Sequence, residues 1–346
     1  MKIVRMIPMI IILGIGIVGC EQSPAGQFLP EDVEHSIPLN QIRDGGPGKD
    51  GIPALTNPRL LTAEEGSRYL ANTDIVIGIA FNGQSRAYPI RILNWHEIVN
   101  DRVGDVDILV SYCPLCGTGI VFDPEINGKA RTFGVSGLLY NSDLLMYERG
   151  TAQGSLWAQL LGEAVVGPLT GEKLEVLPSV QTAWREWKAQ HPDTTVLDIN
   201  TGHSRDYRRS PYVGYDQQSG TYFPVANEDD RLFAKEWIYG MTIADSQKAY
   251  RLESLKDRAV LNDSLGGINL VLIANEDSGS VRAYQRGNHT FAGKATAVRN
   301  GSGLQWKITE EALINPNTGE RLDRITGVHS FWFGWVAFYP DTQLFD

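Results

Sequence analysis

Short apolar runs bounded by turn-forming residues dominate the chain from residue 74 onward. The first run, Ile75–Phe81, is followed by Asn82-Gly83 and then by a second run at residues 85–88. Asn and Gly tolerate the positive φ angles of a type I′ turn, so this pattern predicts a β-hairpin. Asn127-Gly128 predicts another hairpin in the same way. We therefore expect a body built mainly of short antiparallel strands.

Helical periodicity is rare in this sequence. The clearest case places four residues at positions i, i+3, i+4 and i+7 of one helical face: Val180, Ala183, Trp184 and Trp187. Ser179 is the candidate N-cap, and Pro192 follows the predicted end of the helix. Large aromatic residues in such a pattern usually belong to the core, and we expect the same of these tryptophans.

The second half of the chain repeats features of the first half. At an offset of 162 (250 − 88), three blocks match: residues 84–88 with 246–250, Asn100-Asp101 with Asn262-Asp263, and residues 108–110 with 270–272. At an offset of 148 (332 − 184), the tryptophans match: Trp184 with Trp332, and Trp187 with Trp335. These matches predict an α+β, β-rich fold of two tandem homologous units, each made of short antiparallel strands with one Trp-rich helix.

The predicted organisation has five parts. They are a signal peptide at 1–19, a spacer and extended arm at 20–70, a first unit at 71–200, a connector at 201–236, and a second unit at 237–346. The change of offset leaves about fourteen extra residues in the first unit, in the region of 134–143. An insertion confined to one copy is typical of a loop with a local function.

The first twenty residues have the form of a bacterial lipoprotein signal. Lys2 and Arg5 precede an apolar stretch at 6–18 that is short for a membrane span, and Gly19-Cys20 follows it. We expect Cys20 to carry the lipid, which would anchor the chain to a bacterial membrane. The localisation we predict is extracytoplasmic, in the periplasm or at the cell surface.

Composition narrows the range of partners. The apolar fraction of 42% is sufficient for a buried core, and the formal net charge of −10 disfavours binding to nucleic acid. No glycine-rich phosphate-binding motif is present in the sequence, so no nucleotide cofactor is expected. The expected partners are the membrane, through the lipid anchor, and a candidate periplasmic or surface protein.

Two cysteines remain once Cys20 is assigned to the lipid. Cys113 and Cys116 form a Cys-Pro-Leu-Cys motif in the first unit. The second unit has Asn275 and Ser278 at the matching positions, and it has Arg258 at the position that matches His96. If the thiols stabilised the fold unit itself, the second unit would need a similar device, so their joint loss with His96 favours a function.

Three motifs resemble those of one prokaryotic family. Residues 112–119 read Tyr-Cys-Pro-Leu-Cys-Gly-Thr-Gly, residues 95–101 read Trp-His-Glu-Ile-Val-Asn-Asp, and residues 133–147 read Phe-Gly-Val-Ser-Gly-Leu-Leu-Tyr-Asn-Ser-Asp-Leu-Leu-Met-Tyr. With these motifs the chain resembles the family named domain of unknown function 3179, over most of its length after the spacer. The resemblance implies no established activity, so the chemistry is argued from the residues themselves.

The first interpretation of the motif is a metal site. Cys-Pro-x-Cys-Gly is typical of a knuckle that directs two sulfurs at one point. Two thiolates and an imidazole suit copper best, with zinc as the other candidate, and His96 is the expected third ligand. Met146 is a weaker candidate for a fourth. A c-type haem is disfavoured because Gly117 stands where the attachment motif needs His.

Two further interpretations of the cysteine pair stay open at this point. In one, Cys113 and Cys116 form a small structural disulfide within a module that binds a protein or another ligand. In the other, the pair cycles between dithiol and disulfide as a redox protein. No helix is predicted directly after Cys116 to lower the pKa of a thiol, which weakens the redox interpretation. The favoured function is metal handling or electron transfer at a membrane-tethered site.

Overall fold

A computed structural model describes residues 32–151 and 154–346 of the chain. The predicted signal peptide and Cys20 lie outside the described residues. Five short helices occur in the described part: α1 (Ala63–Gly66), α2 (Ile90–His96), α3 (Trp184–Gln190), α4 (Leu252–Leu255) and α5 (Trp332–Val336). None of the helices in these two ranges is long and apolar enough to cross a membrane.

Strands form most of the regular structure. The strands before residue 200 are β1 (Arg43–Asp44), β2 (Leu55–Thr56), β3 (Leu60–Thr62), β4 (Ile75–Phe81), β5 (Gln84–Pro89), β6 (Ile98–Val103), β7 (Val106–Cys113), β8 (Thr118–Phe122), β9 (Glu125–Ile126), β10 (Lys129–Ala130), β11 (Phe133–Tyr140), β12 (Asp143–Glu148), β13 (Leu156–Ala158), β14 (Glu163–Val166), β15 (Val180–Ala183) and β16 (Thr195–Leu197). The later strands are β17 (Trp237–Ile243), β18 (Ser246–Arg251), β19 (Val260–Leu265), β20 (Ile268–Asn275), β21 (Ser280–Gln285), β22 (Phe291–Lys294), β23 (Ala297–Asn300), β24 (Lys307–Ile308), β25 (Ala312–Ile314), β26 (Arg321–Ile325), β27 (Val328–Phe331) and β28 (Gln343–Phe345).

The strands assemble into five sheets and two separate hairpins. Sheet A has the order β1-β11-β12-β13-β14, sheet B β2-β6-β7-β8, sheet C β15-β4-β5-β16-β3, sheet D β27-β17-β18-β28, and sheet E β19-β20-β21-β26-β25-β24. The hairpins are β9-β10 and β22-β23. The five sheets are arranged in a way that resembles the blades of a propeller. The prediction of a β-rich fold is thus confirmed.

The same contacts recur in the two halves of the chain. Sheets C and D both have a strand that precedes a Trp-rich helix, paired with the first strand of a hairpin. Trp187 donates a hydrogen bond from Nε1 to Thr194 at 2.9 Å, and Trp335 donates one to Thr342 at 2.9 Å. These parallels support the division into two tandem units, which stays a prediction.

Local turn chemistry was predicted better than the start of the helix. The Asn-Gly hairpin β4-β5 is confirmed, with positive φ at Asn82 and Gly83, and β9-β10 has the same turn. The Trp-rich helix α3 begins at Trp184, however, because Val180–Ala183 pairs with β4 as strand β15. Its N-cap is Ala183 without a side-chain hydrogen bond, so Ser179 does not have the expected capping role. Each half has its Trp-rich helix, α3 or α5, at the predicted place, and two further short helices, α2 and α4, follow hairpins β4-β5 and β17-β18.

The predicted spacer and arm is part of the body where it is described. Strand β1 pairs with β11, β2 with β6, and β3 with β16. Residues 32–70 therefore supply edge strands to sheets A, B and C. The prediction of a spacer is corrected for these residues, since their backbone groups find partners in the sheets.

Replacing Gly78 by alanine is expected to destabilise the fold. A Cβ added at Gly78 would lie 2.3 Å from a ring carbon of Trp187, which is fully buried. Overpacking of this kind costs about 1–3 kcal/mol, to be measured as the free energy of unfolding in urea. Gly301→Ala is the control, because a Cβ there meets no atom within 4 Å. Equal stability of the two variants would contradict the packing argument.

Candidate metal centre

The two cysteines lie at the turn between β7 and β8. Cys113 is the last residue of β7, and Gly117 closes the turn with a φ of 68°. A Cβ at Gly117 would lie 2.5 Å from the ring of Trp237, so the turn needs glycine for space as well as for its backbone. Both cysteines are free and buried. The turn therefore holds two thiols inside the protein.

A second turn, between β11 and β12, contacts the two thiols. This turn lies in the predicted insertion. Asn141 and Ser142 both have positive φ, and the carbonyl of Ser142 lies 3.6 Å from the Cys113 Sγ and 3.4 Å from the Cys116 Sγ. Asp143 follows directly. The ligand atoms of Cys113, Cys116 and Asp143 all lie within 4.8 Å of one another. This is a group of three candidate metal ligands, which we call the Cys-Asp cluster.

Asp143 is the acidic member of the Cys-Asp cluster. Its Oδ2 accepts a hydrogen bond from the Leu160 amide at 2.9 Å, whereas its buried Oδ1 has no hydrogen-bond partner within the described residues. Burial raises the pKa of this carboxyl to about 7 and raises the pKa of the Cys116 thiol well above its ordinary value. The site therefore favours either protons or a bound cation.

Glu97 is a second acid near the cluster. It follows α2, with φ 57° and ψ −35°, and its carbonyl accepts the amide of Tyr112 next to Cys113. Burial and the neighbouring Asp143 raise the pKa of Glu97 to about 8. Neither carboxylate forms a salt bridge within residues 32–151 and 154–346. The acidic groups at this site thus lack a protein counter-charge.

The predicted connector covers the Cys-Asp cluster. Tyr212 and Tyr215 pack against the same apolar core as the two cysteines. The hydroxyl of Ser142 donates to the carbonyl of Phe223 at 2.7 Å. The Nζ of Lys235 donates to two carbonyls of the connector and lies 4.0 Å from the centre of the Tyr215 ring. The connector is therefore a lid, held in place by several polar contacts.

The C-terminal half of the chain covers the other side of the Cys-Asp cluster. The amide of Phe331 donates to the carbonyl of Cys116 at 2.8 Å. A Cβ added at Gly334 in α5 would lie 3.1 Å from the Cys116 Cβ, so glycine leaves just enough room for the cysteine. The cluster thus lies where the two halves of the chain meet.

The structure does not bring His96 to the thiols. Its Nδ1 lies 2.7 Å from the carbonyl of Pro53, and its Nε2 lies 2.6 Å from the hydroxyl of Tyr207. Burial lowers the pKa of His96 to about 4, so the ring is neutral at ordinary pH. Both ring nitrogens of His96 thus have other partners, and His96 is not a member of the Cys-Asp cluster. Its assignment as the third ligand stays a prediction.

The other predicted site residues have different outcomes. Met146 is fully buried in the same apolar core as the cysteines, and its role as a ligand stays a prediction. Asp143 was not singled out from the sequence, although it lies in the insertion. Glu97 was missed as well, although the residue at the matching position of the second half is Ala259. The comparison of the two halves carries this signal, because the acid is absent from the half that lacks the cysteines.

The position that matches the thiols in the second half carries a salt-bridge network. Asn275, at the position of Cys113, donates to Glu186 of α3 at 2.8 Å. Arg282 pairs with Glu186 at 3.0 Å and with Glu310 at 2.8 Å, and Arg324 pairs with Glu310 at 3.1 Å. Every charge in this network has a partner of opposite sign, which is the reverse of the situation at the Cys-Asp cluster.

We expect Glu310→Gln to destabilise the protein in a pH-dependent way. Burial opposes ionisation of Glu310, but the charges of Arg282 and Arg324 and the hydrogen bonds from Arg282 outweigh it, so its pKa lies well below the ordinary value of 4.5. A lowered pKa stabilises the fold above pH 4.5, and this contribution is lost as the pH falls further. At pH 7 the free energy of unfolding, measured in urea, should fall by about 3–5 kcal/mol, and this difference from the wild type should shrink below pH 4.5.

The control for that measurement is Glu311→Gln. Glu311 is the exposed neighbour of Glu310, and it pairs with Arg321 at 3.7 Å. Its loss should change stability by less than about 1 kcal/mol at any pH. A Glu310→Gln variant whose loss of stability stays constant from pH 7 to pH 3 would contradict the conclusion that Glu310 is ionised in the folded protein.

Comparison with known proteins gives a family but no activity. No curated protein and no solved structure matches the chain. A family model described as "Protein of unknown function (DUF3179)" matches residues 49–342, a range that includes both halves, the connector and the Cys-Asp cluster. The match confirms the resemblance found in the sequence motifs. The chain belongs to the DUF3179 family.

Proposed function

We propose that this chain is a metal-binding protein whose ligands are Cys113, Cys116 and Asp143. The observation that carries this proposal is the Cys-Asp cluster itself, in which three ligand atoms lie within 4.8 Å of one another. The buried Oδ1 of Asp143 without a hydrogen-bond partner is a second support. Buried polar atoms normally have partners, and a cation would supply one here.

The donor set favours zinc among the candidate metals. The sequence favoured copper on the assumption that His96 was the third ligand. A carboxylate in its place is a harder donor than imidazole, and Cu(I) prefers soft ligands. Two thiolates and a carboxylate suit Zn²⁺, which accepts sulfur and oxygen donors in a tetrahedral arrangement. Because Zn²⁺ has no redox chemistry, storage or delivery of metal is a better-supported role than electron transfer.

The alternative roles of the cysteine pair have less support. A redox-active cysteine needs a lowered pKa and access to a partner thiol. Burial instead raises the pKa of Cys116, and the connector covers both sulfurs. A structural disulfide would leave the unpartnered oxygen of Asp143 unexplained. A bound cation accounts for the thiols and the carboxylate together.

The setting that we propose for this activity is extracytoplasmic. The lipoprotein signal at residues 1–19 and Cys20 supports a lipid anchor on a bacterial membrane. The protein would then handle metal in the periplasm or at the cell surface. A protein partner that supplies or receives the metal is part of this proposal.

Metal titration of the reduced, metal-free protein tests the proposed ligands. The wild type should bind one equivalent of Zn²⁺, and Co²⁺ should give sulfur-to-metal charge-transfer absorption. Cys113→Ser and Asp143→Asn should each lower the affinity by roughly 100-fold or more, since second-shell residues alone contribute 10–100-fold. His96→Gln is the matched control, and its affinity should stay close to that of the wild type.

Three results of this titration would contradict the assignment. Preferential binding of Cu(I) over Zn²⁺ would reject zinc as the metal. Loss of binding in His96→Gln with retention in Asp143→Asn would return the third ligand to His96. A reduced wild-type protein that binds none of the three ions would reject the metal site altogether.

The lipid anchor has its own test in bacterial cells. Cys20→Ala should move the protein from the membrane fraction to the soluble fraction and abolish labelling by a fatty acid, because no other residue supplies the acyl chains. Cys113→Ala is the control, and it should stay in the membrane fraction. A Cys20→Ala protein that remains membrane-bound and labelled would reject Cys20 as the lipidated residue.

A further inference from the structure

Glu97 is a buried acid near the Cys-Asp cluster that is not one of its three candidate ligands. Five acidic side chains are buried in the described residues: Glu97, Asp143, Glu148, Asp198 and Glu310. Glu148 accepts hydrogen bonds from the Ser155 amide and from Trp157 Nε1, and Asp198 accepts one from the Asn200 amide. Glu310 pairs with arginine. These three acids have the partners that buried carboxylates require.

The two remaining buried acids lie together beside the thiols. Within the described residues, the Glu97 carboxylate makes no hydrogen bond and no salt bridge, and one oxygen of Asp143 has no partner. The two lie on either side of Cys113, since the Glu97 carbonyl accepts the amide of Tyr112 at 2.7 Å and Asp143 belongs to the Cys-Asp cluster. Buried acids without partners thus occur at one place, and that place already holds two cysteines.

The backbone at Glu97 is strained. A φ of 57° is unfavourable for a residue with a side chain, and glutamate has none of the local hydrogen bonding that helps Asn or Asp adopt it. The conformation is fixed by two backbone hydrogen bonds, from the Glu97 amide to Leu93 and from the Tyr112 amide to Glu97. Strain of this kind is concentrated at functional sites, where a side chain must point in one direction.

The internal comparison gives an independent reason to link Glu97 with the thiols. At the constant offset, Glu97 matches Ala259 of the second half, where Cys113 matches Asn275. The framework residues Asn100 and Asp101 are kept in both halves. The acid is therefore absent from the half that lacks the cysteines.

We propose that Glu97 is the fourth protein ligand of the metal, an inference that rests on the proposed function. Its carboxylate is not a member of the Cys-Asp cluster, so binding to the same metal would require the Glu97 side chain to turn towards that cluster. Two sulfurs and two carboxylate oxygens form a closed tetrahedral set. The site is then one that retains a zinc ion, without an open position for substrate.

Glu97→Gln in the full-length chain tests this proposal. The amide keeps the size of the side chain but is a poor metal ligand. Zn²⁺ affinity should fall at least about 10-fold, and the d–d absorption of the Co²⁺ form should shift as the fourth ligand changes from carboxylate to water. The metal-free variant should unfold at the same urea concentration as the wild type, or at a higher one, since a buried acid without partners is removed.

Asp198→Asn is the matched control, because Asp198 is a buried acid that pairs with Arg59 away from the thiols. Its Zn²⁺ affinity should equal that of the wild type. Equal affinity and equal Co²⁺ spectra for Glu97→Gln and the wild type would overturn the role of Glu97 alone. A Glu97→Gln variant that loses stability without metal would show a structural role and also overturn it. Failure of the wild type to bind Zn²⁺ would reject the whole site.

Discussion

Buried acidic groups without a protein counter-charge are the constraint on which this structure depends. Burial at this site disfavours the charged forms of Asp143, Glu97 and Cys116. In the second half, the position that matches Cys113 is occupied by Asn275, which lies beside the ion pair of Glu186 and Arg282. At this place in the fold, the charged groups of the second half therefore have partners of opposite charge, whereas the acidic groups of the first half have none in the part of the chain that the structure describes. A cation is the simplest group that would complete it.

The two halves pack on each other through two equivalent contacts, so the residues at those contacts can be compared directly. Strand β27 contacts β8, and β15 contacts β21, so each half lays its Trp-rich helix on the turn of the other. Glu186 in α3 and Gly334 in α5 match at the offset of 148. Glu186 fills its junction and binds Asn275, whereas Gly334 leaves space against Cys116. The exchange of Glu186 for Gly334 is thus one of the differences that separate the two contacts, beside the loss of the cysteines and Glu97 in the second half.

The sequence predicted what depends on neighbouring residues and missed what depends on distant ones. The turn at Asn82-Gly83 was found because positive φ is a local property. The start of α3 was misplaced because pairing of Val180–Ala183 with β4 outweighs helical periodicity. The thiols were found from their spacing, but Asp143 reaches them only through the β11-β12 turn. His96 was expected at the site, yet its ring is fixed by Tyr207 at a sequence separation of 111 residues.

The lid over the cluster limits how a bound metal could exchange. The connector contains no strand, and its one regular element is a short 3₁₀ turn at Tyr215–Gln217. It is attached to the body by single contacts, such as the Ser142 hydroxyl on the carbonyl of Phe223 and the Phe333 amide on the carbonyl of Ala234, rather than by a ladder of backbone hydrogen bonds. Segments of this kind open at lower free-energy cost than sheets do. Exchange of a bound metal would therefore follow opening of the connector, while the two turns that carry the candidate ligands stay in their sheets.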